Sequence, residues 1–182
     1  MPLLRIAGIA SDSCVDGLGV RYTVFLQGCA HGCPGCHNPA SHDYGSGEVM
    51  DSKTIFQDIL SLKYIRGVTF SGGEPLDQAV ALAPLMKDLR GQGYNIWIYT
   101  GYTFEEAAAD SLMSVVVRLA DVLVDGRFVR SKRTLTIPFI GSENQRVIDV
   151  QESLRQGKVQ LFTPRIVWIG KQTPHFNSGL YY

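Results

Sequence analysis

The chain has 182 residues, 45% of them hydrophobic, which predicts a single compact domain spanning residues 1–182. Lysine plus arginine number 17 and aspartate plus glutamate number 17, a balance that argues against a protein coating nucleic acid or an anionic membrane. No apolar run approaches the ~20 residues that span a bilayer, and the N-terminus lacks the pattern of a secretion signal. We therefore expect a cytoplasmic protein without nucleic-acid or membrane partners.

Short apolar runs alternate with helical patterns along the chain, as in βα units built around a mainly parallel sheet. The runs predicted as strands are 21–27, 67–71, 94–100 and 120–125. Two stretches, 52–62 and 76–89, place their apolar residues on one helical face, with Ser52 as the expected cap of the first. Thr103 and Glu106 have the spacing of a capping box, which predicts another helix start.

Each of the four predicted strands ends in polar or glycine residues. These ends are Gln27-Gly28-Cys29, Ser71-Gly72-Gly73-Glu74, Tyr99-Thr100-Gly101 and Asp125-Gly126-Arg127. The carboxyl ends of parallel strands form one edge of a sheet, and ligands bind at that edge in α/β folds. We therefore expect these four segments to lie close together.

Three of the four cysteines, Cys29, Cys33 and Cys36, have the spacing C-x3-C-x2-C. A group this tight indicates metal binding or redox chemistry, since disulfide scaffolds spread their cysteines along the chain. Three thiolates can hold three irons of a 4Fe–4S cluster and leave the fourth iron open for a chelating ligand. The alternative is zinc, although the second C-x2-C pair typical of structural zinc is missing. Its fourth ligand would be Cys14, His31, His37 or His42.

The cysteine segment followed by the GGEP turn at 72–75 resembles the radical S-adenosylmethionine superfamily. Further segments narrow the resemblance to the activating enzymes of anaerobic (class III) ribonucleotide reductases. They are 15–21, 36–39, 100–102, 122–128 and 141–146. The resemblance covers about residues 5–155, leaving 156–182 as a C-terminal extension of unassigned role. Asn144 and Gln145 match the family without indicating a function.

The resemblance implies an α/β fold in the form of an incomplete TIM-like βα barrel with a mainly parallel sheet. At 182 residues, the chain is shorter than the ~200–250 residues of a full eight-fold barrel. It also implies that Cys29, Cys33 and Cys36 ligate the 4Fe–4S cluster and that S-adenosyl-L-methionine chelates its open iron. Gly72, Gly73 and Glu74 match the turn that meets the methionine amino group.

Other residues are assigned to the same cofactor through the resemblance. Gly35, Cys36 and His37 match the segment near the adenine, although the wider superfamily usually has an aromatic residue at position 35. Thr100, Asp125 and Arg127 lie where relatives bind the ribose, the methionine carboxylate or a monovalent cation. Arg127 is the candidate partner of the carboxylate.

The implied function is that of an activase, which uses a 5′-deoxyadenosyl radical to generate a glycyl radical on anaerobic ribonucleotide reductase. An electron donor such as flavodoxin would be the second partner. The alternatives are an activase of another glycyl-radical enzyme or a small-molecule radical enzyme. Residues 37–70 contain no cysteine, which argues against the activases that carry a ferredoxin-like insertion. A non-catalytic zinc or electron-transfer protein would explain the cysteines but not the glycine turn after them.

Overall fold

The computed structural model describes residues 2–164, 166–168 and 174–176. The strands in this part of the chain are β1 (Leu3–Ser13), β2 (Arg21–Leu26), β3 (Glu48–Asp51), β4 (Gly67–Gly72), β5 (Asn95–Tyr99), β6 (Val122–Asp125), β7 (Arg146–Asp149), β8 (Ile166–Trp168) and β9 (Pro174–Phe176). The α-helices are α1 (Ser52–Ser61), α2 (Ala79–Gly91), α3 (Phe104–Ala109), α4 (Met113–Leu119) and α5 (Val150–Gln156). Short 3-10 helices cover Pro39–Ser41, Pro75–Gln78 and Arg130–Lys132.

Seven of the strands form one sheet in the order β3-β1-β2-β4-β5-β6-β7. The central strands β2, β4, β5 and β6 run parallel to one another. Strands β1, β3 and β7 extend the sheet through antiparallel pairings. The predicted α/β class is confirmed, and the sheet is open within the described residues, with β3 and β7 at its edges.

All five α-helices contribute to one hydrophobic cluster against the same face of the sheet. Successive side chains of β5 lie on opposite faces of the sheet. Ile96 and Ile98 join this cluster, whereas Trp97 packs in a second cluster. Phe139 and Phe162 cover Trp97 with their rings edge-on, at centroid distances of 5.0 and 5.4 Å. The helices therefore cover one face, and loops cover part of the other.

The capping box predicted at Thr103 is confirmed. The hydroxyl of Thr103 accepts from the backbone N–H of Glu106, whose carboxylate accepts from the Thr103 N–H at 2.7 Å. The cap predicted at Ser52 is wrong by one residue, because the Asp51 side chain accepts from the Lys53 N–H and Ser52 is already helical. Ionised carboxylates near a helix N-terminus also interact favourably with its dipole.

Within the described residues, no helix is both long enough and apolar enough to cross a membrane. The predicted C-terminal extension 156–182 is described up to residue 164 and again only in β8 and β9. The remainder of that extension lies outside the described residues.

Candidate cluster and cofactor site

The cysteines lie in a loop, residues 27–38, that follows β2 and is called the cluster loop below. Backbone hydrogen bonds fasten its start to the next segment, with the Gly28 N–H donating to Ser41 and the Cys29 N–H donating to His42. The side chain of Gln27 donates to the carbonyls of Ala40 and Asp43, at 3.0 and 2.7 Å. The loop is therefore held at its start by the segment that follows it.

Cys29, Cys33 and Cys36 are free thiols of intermediate burial, and all three line one cavity. The fourth cysteine, Cys14, is exposed and does not line that cavity. Burial raises the pKa of the Cys29 thiol, and the negative charges of Glu74 and Asp77 raise it further. A bound metal would reverse this preference, since thiolates and not thiols ligate metals.

The cavity also brings together the four strand ends that the sequence predicted to converge. Its wall contains Gly72 and Gly73 after β4, Thr100 and Gly101 after β5, and Arg127 after β6. The prediction that these segments meet at the carboxyl edge of the parallel strands is therefore confirmed. Tyr99, Phe128 and Gln145 complete this side of the wall.

The two glycines after β4 are required by close backbone packing. Gly72 has φ +97°, a conformation that residues with a Cβ rarely adopt. A Cβ on Gly73 would lie 2.3 Å from the carbonyl oxygen of Gly28, and the Glu74 N–H donates to that same oxygen at 2.8 Å. The glycine turn (residues 72–75) and the cluster loop are thus packed backbone against backbone.

The carboxylate of Glu74 is fully buried and does not line the cavity. One oxygen accepts from the Leu76 N–H at 3.0 Å and the Thr100 hydroxyl at 2.8 Å. The other accepts from the Gly101 N–H and from Nε2 of His31, both at 2.8 Å. The resemblance places Glu74 in the turn that meets the methionine amino group, and in the structure its carboxylate binds four protein donors instead of lining the cavity.

Asp125 is likewise buried and engaged within the protein. Its carboxylate accepts from two guanidinium nitrogens of Arg146, at 3.0 and 2.5 Å, and from the Phe104 N–H at 2.7 Å. Glu105 also binds Arg146, and together the two carboxylates raise the pKa of that guanidinium. Asp125 does not line the cavity. Arg146 was not singled out from the sequence, because its partner became evident only from the pairing of β6 with β7.

Arg127 has no such partner. Its side chain is exposed, lines the cavity, and forms no ion pair with any residue in the described part of the chain. The turn that carries it, residues 125–127, is held by the two amides whose role the sequence left open. Asn144 donates to the Arg127 carbonyl and Gln145 donates to the Gly126 carbonyl, each at 2.8 Å.

Gly35 and His37 lie on the rim of the cavity rather than in its lining. The ring of His37 is exposed and packs against Phe128, with a centroid distance of 5.0 Å. Gly35 has φ +77°, and a Cβ there would meet the Arg130 side chain at 3.3 Å. An aromatic residue at this position would be strained by the positive φ and would have to displace the exposed Arg130 side chain slightly, which agrees with the departure from the wider superfamily noted in the sequence.

Within the described residues, no group of three or more histidine, cysteine, aspartate or glutamate side chains is arranged to hold a single metal ion. The zinc alternative had four candidates for its fourth ligand, Cys14, His31, His37 and His42. His31, one of its candidate ligands, has its Nε2 on Glu74 instead. Cys29, Cys33 and Cys36 line one cavity, and three thiolates can ligate three irons of a 4Fe–4S cluster.

Comparison with known proteins agrees with this geometry. Residues 15–148 match the family described as "4Fe-4S single cluster domain". The anaerobic ribonucleoside-triphosphate reductase-activating protein of Pasteurella multocida (strain Pm70) is 36% identical over 139 residues, which cover 72% of this chain and 88% of the relative. The protein of that name from Escherichia coli (strain K12) is 36% identical over 141 residues, 73% of this chain and 90% of the relative.

The fold, the three thiols and the match over residues 15–148 define a protein of the 4Fe–4S single-cluster class. More narrowly, the chain belongs to the family of anaerobic ribonucleoside-triphosphate reductase-activating proteins. Among solved structures, the crystal structure of QueE from Escherichia coli aligns with 56% of this chain and 53% of that chain. Its TM-score of 0.46 and 21% identity are too low to inform the function.

Proposed function

We propose that this protein activates anaerobic ribonucleotide reductase by generating a glycyl radical on it. When bound and reduced, a 4Fe–4S cluster would supply the one electron that splits S-adenosyl-L-methionine into methionine and a 5′-deoxyadenosyl radical, and hydrogen abstraction from glycine would then give 5′-deoxyadenosine and the glycyl radical. The observation that carries the proposal is the shared cavity: Cys29, Cys33 and Cys36 face the glycine turn and the later strand ends across it. The names of the relatives support the reductase as the partner, since they describe proteins that activate an anaerobic ribonucleoside-triphosphate reductase.

Cys29, Cys33 and Cys36 are the proposed ligands of the cluster. They fit the group because they are free, unpaired in disulfides, and partly buried in one cavity. Three protein thiolates leave one iron without a protein ligand. That iron is the proposed site for the methionine amino and carboxylate groups of S-adenosyl-L-methionine.

At the methionine end of the ligand, the proposed contacts come from backbone oxygens of the glycine turn and from the Arg127 side chain. Because the Glu74 carboxylate is already bound by protein donors, we assign the N–H groups of the iron-bound methionine amino group to backbone oxygens of the glycine turn, where Gly72 and Gly73 line the wall. Glu74 then holds that turn in place. Arg127 is the proposed partner of the methionine carboxylate, since its guanidinium faces the cavity without an acidic partner.

Gly35, Cys36 and His37 are proposed to lie beside the adenine, where the His37 and Phe128 rings form an aromatic rim. Thr100 is proposed to approach the ribose from the end of β5. A monovalent cation at these strand ends would use Thr100 and backbone oxygens, because Asp125 is already paired with Arg146. A difference in S-adenosyl-L-methionine affinity between sodium and potassium buffers tests that cation.

The open sheet supports a proposal for how the protein substrate reaches the cavity. We propose that the open sheet forms an incomplete barrel within one domain, with the helices outside and the cavity at the carboxyl edge of its parallel strands. An open cavity edge can admit a glycine-bearing loop of the reductase, which a sealed pocket could not. Flavodoxin is the proposed electron donor, and the cytoplasm, which keeps thiols reduced, is the proposed compartment.

The test is anaerobic. The protein is reconstituted with iron and sulfide, reduced with dithionite and mixed with S-adenosyl-L-methionine. The 5′-deoxyadenosine formed is quantified, and the glycyl radical on added reductase is measured by electron paramagnetic resonance. Cys33→Ser is expected to abolish both signals. Cys14→Ser is the matched control, because Cys14 is an exposed thiol outside the cavity.

The outcomes separate the alternatives. Formation of 5′-deoxyadenosine without a glycyl radical on the reductase would point to a different radical acceptor. A cluster that forms but yields no 5′-deoxyadenosine, with or without the reductase, would refute the activase proposal. Binding of zinc with no iron after reconstitution would restore the structural-metal alternative.

A further inference from the structure

His31 is a buried histidine inside the cluster loop that the proposed chemistry does not use. It lies between Cys29 and Cys33, and its side chain is only 7% exposed. Nε2 of the ring is 2.8 Å from Oε2 of Glu74, which is fully buried. In the tautomer that carries its proton on Nε2, the ring donates to this oxygen.

The surroundings of His31 fix this geometry. Gly101 packs against the ring so closely that a Cβ there would lie 2.3 Å from its Cδ2 atom. The ring of Tyr102 meets it edge-on, with centroids 4.6 Å apart. The Tyr102 hydroxyl donates to Asp77 at 3.0 Å, so the tyrosine is itself held from the far side. The histidine ring is therefore enclosed between two neighbouring residues of the turn after β5.

The Glu74 carboxylate, which is hydrogen-bonded to His31, also bonds to two further segments. Glu74 is part of the glycine turn, and its carboxylate accepts from the Leu76 N–H just after that turn. The same carboxylate accepts from Thr100 and Gly101 at the end of β5. Hydrogen bonds to an ionised acceptor are stronger than those between neutral groups. One carboxylate thus connects three segments that line the cavity, and His31 is the side chain by which the cluster loop joins them.

We infer that His31 is a positioning residue, which fixes the cluster loop on Glu74 so that the cysteine thiols are arranged before iron binds. This role rests on the proposed function in one respect: those thiols are the proposed ligands of iron. The bond itself is present in the metal-free protein, so it can be tested there. In that protein, loss of the bond leaves the start of the loop attached through the Gln27 side chain and the backbone of residues 27–29, while residues 30–36 lose their side-chain link to Glu74.

The experiment measures thiol alkylation in metal-free protein under anaerobic conditions, with each cysteine quantified by mass spectrometry. Cys33 and Cys36 report on the order of the loop, and exposed Cys14 is an internal standard in the same molecule. In His31→Ala, alkylation of Cys33 and Cys36 relative to Cys14 should rise about tenfold, as expected for loss of a hydrogen bond to a charged group. His37→Ala is the matched control, since its ring contacts Phe128 and has no bond to Glu74.

Conservative and paired variants distinguish positioning from general loosening. His31→Gln keeps an N–H donor and should restore most of the protection, whereas Glu74→Gln should raise alkylation as His31→Ala does. The double variant should add little to either single change, because both remove the same link. Urea unfolding of each variant shows whether the sheet is intact; if His31→Ala does not fold, the comparison of His31→Gln with Glu74→Gln still decides.

Reconstituted protein gives a second readout: iron should be lost to a chelator faster from His31→Ala than from His37→Ala. Equal alkylation in His31→Ala and the native protein would overturn the inference, as would His31→Gln being as exposed as His31→Ala. Neither result depends on catalysis. Failure of the native protein to form 5′-deoxyadenosine would refute the proposed function while leaving the alkylation result to decide the role of His31.

Discussion

Replacing Gly73 with alanine should separate the glycine turn from the cluster loop. The added Cβ would lie 2.3 Å from the carbonyl oxygen of Gly28 and 2.9 Å from that of Ser41. Both are backbone atoms, which cannot rotate away as the end of a side chain can. Contacts of a real Cβ essentially never fall below 3.0 Å, so the Gly28 oxygen must retreat by about 0.7 Å.

The cost follows from two contributions. Overpacking in a tightly packed region costs about 1–3 kcal/mol. The same displacement stretches the 2.8 Å bond from the Glu74 N–H to Gly28 to about 3.5 Å, where about 0.5–1.5 kcal/mol of hydrogen-bond energy is lost. The free energy of unfolding should therefore fall by about 2–4 kcal/mol. With about 1–3 kcal/mol per molar urea for a small domain, the unfolding midpoint should fall by about 1–2 M.

Urea unfolding of the metal-free protein measures this change, and iron content after reconstitution measures its effect on the site. Gly91→Ala is the matched control, because its Cβ would meet nothing within 4 Å at the end of α2. That variant should be stabilised by up to about 1 kcal/mol, since alanine favours the helix. A Gly73→Ala protein as stable as Gly91→Ala, with full iron content, would refute the close packing inferred here.

Three further predictions concern the later strand ends. Thr103→Ala removes the capping hydroxyl of α3 and should lower the free energy of unfolding by about 1 kcal/mol, measured in urea. The hydrogen bond from Arg146 lowers the pKa of Glu105, so that stabilisation is present above the unfolded pKa of about 4.3 and is lost as the pH falls further. The stability difference between the native protein and Glu105→Gln, below about 1 kcal/mol for this exposed pair, should therefore disappear near pH 3; a difference that persists there would contradict the assignment. Gln145→Ala removes one bond to Gly126 and two to residues 141–142, and should lower the free energy of unfolding by about 2 kcal/mol and weaken S-adenosyl-L-methionine binding in equilibrium dialysis.

Local patterns were sufficient to predict the four central parallel strands, helices α1 and α2, the start of α3 and the place of the site, but not the long antiparallel strand β1 or helices α4 and α5. Parallel strands place their carboxyl ends on one edge, so the positions of Cys29, Gly72, Thr100 and Arg127 followed from the strand assignments alone. The capping box at Thr103 depends on two residues three positions apart, Thr103 and Glu106, and could likewise be predicted from the sequence. Strand β7 was not predicted, because its four residues, Arg146–Asp149, give too short a pattern for recognition.

The orientation of Glu74 could not be predicted for a different reason. Its partners at positions 31, 100 and 101 are distant in sequence, and their approach depends on how three loops pack. A carboxylate at a strand end suggests a charge directed at the ligand, and nothing local distinguishes that from a buried structural carboxylate. The signal available in the sequence was the combination of a histidine inside the cysteine motif with a glycine after β5, which makes room for its ring.

The same argument applies to Asp125, and it changes the electrostatics expected at the site. Both acidic residues assigned to the cofactor are bound by protein donors, Glu74 by His31 and backbone, Asp125 by Arg146. Among the lysine, arginine, aspartate and glutamate residues in the described part of the chain, Arg127 alone lines the cavity. Under the proposed function, Arg127 is the one charged side chain of this lining that can bind the ligand carboxylate, and the amino group of the ligand is left to backbone oxygens near Gly72 and Gly73.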